Sequence, residues 1–119
     1  MSKNNLRRFY QAAYSLIHRY NMETNSGDIA GFAGSMELFR SEESSSDPAI
    51  WGDWLNAIKK IKNFDFVPES LTIEEAYQAA IIFFNFEADL WASDNLQKFT
   101  ESLTYEKWLE AVKAVDDDS

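Results

Sequence analysis

Tyr77-Gln78-Ala79-Ala80-Ile81-Ile82-Phe83-Phe84 repeats, sixty-seven positions later, the pattern of Tyr10-Gln11-Ala12-Ala13-Tyr14-Ser15-Leu16-Ile17. The same offset pairs Ser26 with Ser93, Asp28 with Asn95, Ile29 with Leu96 and Phe32 with Phe99. Farther on the register changes to fifty-four, and Trp51-x-x-Trp54-Leu55-x-Ala57-Ile58-Lys59 matches Tyr105-x-x-Trp108-Leu109-x-Ala111-Val112-Lys113. Internal self-similarity of this length is a fold signal. The reading is an all-α, single-domain bundle of about six helices, residues 1–119, built from two pseudo-repeated three-helix units at about 5–62 and 71–115. The first unit carries thirteen extra residues, which include the acidic stretch 41–47.

The periodicity supports each helix. Leu6, Phe9, Tyr10, Ala13, Leu16, Ile17 and Tyr20 recur at the three-four spacing of a buried stripe over 5–22. Ser26 or Asp28 is the expected cap of a short second helix whose apolar face is Ile29, Phe32, Ala33 and Met36. Gly31 and Gly34 weaken that helix, so close approach of a neighbour is expected there. Asp47-Pro48 opens a third helix, because proline at the first helical position loses nothing by lacking an N–H. Ile50, Trp51, Trp54, Leu55, Ile58 and Ile61 form its stripe, with Lys59, Lys60 and Lys62 suiting the dipole at its end.

Thr72, followed by Glu74 and Glu75, caps a fourth helix that is apolar on two stripes, Ile73-Ala76-Tyr77-Ala80-Ile81-Phe84-Trp91 and Ala79-Phe83-Phe86-Leu90. Such a helix is expected at the centre of the bundle. Ser93-Asp94 starts a fifth helix and Thr104-Tyr105 a sixth, which should fray at Asp116-Asp117-Asp118 because carboxylates oppose the dipole at a C-terminus.

Eighteen aromatic residues among 119 supply a core that needs no covalent staples, and there is no cysteine. The start of the chain leads into a charged helix without an apolar signal core, and no run of apolar residues reaches membrane-spanning length. A cytoplasmic protein is expected. The net charge of -9 comes from the second half, since residues 61–119 hold four basic and thirteen acidic side chains. That balance repels nucleic acid phosphate and attracts basic partners.

No catalytic constellation accompanies the repeat. His18 is the single histidine, on the polar side of the first helix, so a zinc site or nucleophile-base pair lacks its parts. Gly27-Asp28-Ile29-Ala30-Gly31 has neither the preceding strand nor the lysine of a phosphate cradle. No cofactor, metal ligand or enzymatic role is expected.

With Ser26-Gly27-Asp28-Ile29 after an aromatic helix, and Asp47-Pro48-Ala49-Ile50-Trp51-Gly52-Asp53-Trp54-Leu55 opening the next, the chain resembles small helical bacterial immunity proteins of the contact-dependent growth inhibition and polymorphic toxin type. The resemblance implies a stoichiometric inhibitor that is monomeric when free and binds a cognate toxin domain without chemistry of its own. Many such toxins are basic nucleases, and carboxylates can meet them where they expect phosphate. Two acidic groups are the candidate partner-binding residues. One is Glu42, Glu43 and Asp47 with nearby Asp53; the other is Glu87, Asp89 and Asp94 with Trp91 as anchor. The rival readings are a helical adaptor that self-associates through Gly31 and Gly34 or an exposed tryptophan, and a hydrolase or small-molecule binder using carboxylates inside the bundle.

Overall fold

The computed structural model describes residues 5–24, 27–36, 48–61, 65, 67, 68 and 70–118. They form six helices, α1 (Asn5–Thr24), α2 (Gly27–Met36), α3 (Pro48–Lys60), α4 (Ile73–Leu90), α5 (Asp94–Ser102) and α6 (Tyr105–Asp118), and no strand among the described residues. The chain is an all-α bundle.

Its caps follow from side-chain chemistry. Thr72 Oγ1 accepts from the backbone N–H of Glu75 at 3.1 Å while Glu75 Oε1 accepts from the N–H of Thr72 at 2.9 Å, a reciprocal box at the start of α4. Ser93 Oγ accepts from the N–H of Leu96 at 3.0 Å and Thr104 Oγ1 from that of Lys107 at 3.2 Å, so α5 and α6 begin where short polar side chains can serve their orphan donors. At the end of α4 the N–H of Ser93 donates to Ala88 O and that of Ala92 to Asp89 O, with Ala92 at a φ of 49°. This tight reversal, which normally favours glycine, sends α5 back along α4 after three residues.

Packing interlocks the two halves. Within each half the second helix lies on the first, α2 on α1 and α5 on α4, whereas the third lies along the first helix of the other half, α3 on α4 and α6 on α1. Tyr10, Trp54, Phe32, Phe83 and Phe84 are fully buried between them. Tyr10 meets Trp51, Trp54 and Phe83 edge to face at ring centroids of 5.1, 5.9 and 6.2 Å, and its hydroxyl donates to Met36 O at 3.0 Å, so a polar tip is satisfied inside the core.

At the offsets read from the sequence, two contacts recur. Trp54 Nε1 donates to Leu6 O at 3.2 Å and Trp108 Nε1 to Ile73 O at 3.0 Å, each tying a third helix to the first helix of its own half. The Tyr10–Trp51 edge contact has its counterpart in Tyr77–Tyr105, at 5.4 Å and 68°.

Several expectations need correction. Phe86 and Leu90 do not extend the buried stripe of α4 but stand 43% and 62% exposed, because the helix buries only the face that carries Ala76, Ala80, Phe83, Phe84, Glu87 and Ala88. Ile73, Tyr105 and Leu109 are exposed as well. A β-carbon on Gly31 would make only ordinary contact with Trp91, 3.9 Å away, and one on Gly34 would meet nothing, so neither glycine is there to admit a neighbouring helix. Finally, α6 continues through the aspartates to Asp118.

Candidate partner-binding surface

Of the acidic residues singled out above, Glu42, Glu43 and Asp47 lie outside the described residues. Asp53 is half-buried on the side of α3 that faces α4. Asp89 and Asp94 are exposed, at the last turn of α4 and the first turn of α5. Glu87 is the exception and a correction. It is 0% exposed, on the buried face of α4, and offers nothing to an incoming partner.

Trp91 ends α4 and bridges it to α2. Its indole meets the Phe32 ring edge to face at 5.5 Å and is 37% exposed, so it is half anchor and half surface. Phe86, on the α3 side of the helix, and Leu90 are one turn apart and therefore neighbours on one stripe, with Asp89 between them in sequence. Sequence periodicity placed both in the core.

Phe86 also walls a groove of about 170 Å³ between α3 and α4, whose other lining residues are Asp53, Asn56, Ala57, Lys60 and Ile82. The Lys60 ammonium sits 5.6 Å from the centre of the Phe86 ring, a cation–π approach. A second groove of about 300 Å³ lies between α1, α5 and α6. Leu16, Tyr20 and Phe99 form its apolar part, and Arg19, Glu23, Lys107 and Glu110 are its charged residues.

The two grooves occupy corresponding places. Ser15, Arg19, Lys107, Glu110, Ala111 and Ala114 stand, at the two sequence offsets, where the first groove has Ile82, Phe86, Asp53, Asn56, Ala57 and Lys60. Similar geometry thus holds different chemistry. In one a carboxylate and an aromatic ring, Asp53 and Phe86, share the lining; in the other Lys107 and Arg19 take those places and Glu110 takes that of Asn56.

His18 is exposed and stacks on Tyr14 at 5.6 Å and 24°. Among the described residues no group of three or more histidine, cysteine, aspartate or glutamate side chains is arranged to hold a metal ion, and no helix is long and apolar enough to cross a membrane. No family model, curated protein or solved structure matches the chain.

Proposed function

We propose that this protein is an immunity-type inhibitor that binds a basic, nuclease-like toxin domain in a one-to-one complex and neutralises it without catalysis. The observation that carries the reading is exposed Phe86 beside Asp53 in the α3–α4 groove, with exposed Leu90 and Asp89 in the next turn of α4, on a chain whose net charge is -9. Apolar groups beside carboxylates, with the exposed Lys60 resting on the Phe86 ring, are an arrangement that a basic protein surface can engage by displacing that lysine: the apolar groups supply affinity, the carboxylates and the chain's net charge steer the encounter. Trp91 and Asp94 extend the same end of the bundle.

The test is direct. Reading frames neighbouring this one are searched for a toxin-type domain, which is purified and mixed with this chain, and complex formation and toxin activity are followed together. A one-to-one complex that abolishes toxin activity, with an association rate that falls as salt rises, is the expected result. Failure to form a complex, or turnover of a substrate by this chain alone, would defeat the reading.

A further inference from the structure

We infer that the α3–α4 groove receives one arginine side chain of the basic partner, an assignment that rests on the reading above and sharpens it. The groove's volume of about 170 Å³ suits a single side chain, since a cavity of about 150 Å³ admits a benzene-sized group. Ala57 and Ile82 give the apolar surface along which an aliphatic stem lies, as long cationic side chains do. Phe86 contributes an exposed ring whose face already attracts a cation, the ammonium of Lys60. Asp53 and Asn56 add carboxylate and amide oxygens in the same groove, acceptors for N–H donors.

Guanidinium satisfies all of these together. It is planar, so it stacks on a ring, and its donors form a fork that can serve a carboxylate and a neighbouring amide, whereas a lysine ammonium is a compact point charge. Lys60 is exposed, so its ammonium can leave the ring for water when a better cation arrives. The corresponding groove between α1 and α6 has Arg19 in place of Phe86 and Lys107 in place of Asp53. The four charged side chains there, Arg19, Glu23, Lys107 and Glu110, balance, but the place of the Phe86 ring is taken by a cation, so this groove offers no face for guanidinium to stack on at that position and serves as a comparison within the same molecule.

The experiment titrates Nα-acetyl-arginine amide into the full chain at about 0.15 M salt, where the screening length is about 8 Å and diffuse attraction to the acidic surface is damped. NMR signals of the Ile82 methyls and the Asn56 side-chain amide report on this groove, and those of Ala111 and Ala114 report on the other. Saturable shifts at Ile82 and Asn56 alone are expected, weakened about tenfold or more by Asp53→Asn and by Phe86→Leu, and strengthened a few-fold by Lys60→Gln. Nα-acetyl-lysine amide should bind several-fold more weakly. Far-UV circular dichroism verifies that each variant keeps its helices. Shifts that do not saturate, that are equal in the two grooves, or that survive both Asp53→Asn and Phe86→Leu overturn the assignment. Because the probe contains no toxin, loss of this assignment leaves the proposed function standing, and failure to bind the toxin domain leaves the groove's preference for arginine standing.

Discussion

Asp28 and Asn95, sixty-seven positions apart and at matching places in the two halves, are hydrogen-bonded to each other, Asn95 Nδ2 donating to Asp28 Oδ1 at 3.1 Å. The Ser93 hydroxyl donates to the other oxygen of Asp28, and the N–H of Ile29 donates to Oδ1 at 3.0 Å. One carboxylate therefore joins the first turns of α2 and α5. Replacing Asp28 with Ala should cost about 1–2 kcal/mol in urea unfolding, the range for a lost helix-terminal acceptor with charge-assisted partners. A change below about 0.3 kcal/mol would show that the joint contributes nothing.

The reversal after α4 holds Ala92 in the left-handed region, where an L-residue is strained by about 1–2 kcal/mol and glycine is not. Ala92→Gly should stabilise the protein by about 0.5–1 kcal/mol once glycine's larger unfolded-state entropy is subtracted. Thermal unfolding reads this as a rise of a few degrees, and a lower midpoint would contradict the geometry.

Glu87 and Asp89 are two residues apart on α4, one buried and one exposed. Glu87→Lys places a long cation inside the helical core and should destabilise by more than about 3 kcal/mol or prevent folding, because burial penalises a mismatched charge. Asp89→Lys should stay within about 0.5 kcal/mol of the parent. Equal effects in denaturant titrations would place Glu87 at the surface after all.

Phe83 and Phe86 make a similar contrast in size-matched side chains. Phe83→Ala removes a fully buried ring and should cost about 3–5 kcal/mol. The exposed pair Phe86→Ala with Leu90→Ala should cost less than about 1 kcal/mol together, yet weaken binding of the toxin domain by about tenfold or more. Calorimetry on the two sets of variants separates stability from recognition; unchanged affinity removes Phe86 and Leu90 from the interface.

Charge reversal divides the two acidic groups. Asp53→Lys with Asp89→Lys should slow association with the toxin domain by about tenfold at low salt, with the difference vanishing at high salt. Glu42→Lys, Glu43→Lys and Asp47→Lys form the second arm of the same stopped-flow experiment, and whichever set leaves the rate unchanged lies outside the interface.

The helices were legible in the sequence because their determinants are local. Thr72 with Glu75, Ser93 and Thr104 announce helix starts through chemistry that acts within three residues. The stripe of α1 and the Tyr10, Trp54 and Trp108 positions were legible for the same reason, since in an amphipathic helix with one apolar stripe periodicity points to the one face to bury. α4 was misread at its end. Its apolar residues cover more of the circumference than its neighbours do, and only tertiary packing decides that Phe83, among Tyr10, Phe32 and Trp54, is covered and Phe86 is not. Glu87 was misread in the opposite sense, because a glutamate in an acidic stretch carries no local mark of being turned inward. The groove joining Asp53 to Phe86 spans thirty-three positions and two helices, and no local pattern reports such a meeting.

The four tryptophans divide by their surroundings. Trp54 and Trp108 are sealed, whereas Trp91 keeps 37% of its surface in water at the end of α4. A collisional quencher such as acrylamide will reach Trp91 most readily and half-buried Trp51 in part, and leave Trp54 and Trp108 untouched, so in a Trp51→Phe background the protein carries an intrinsic optical probe at the end of α4.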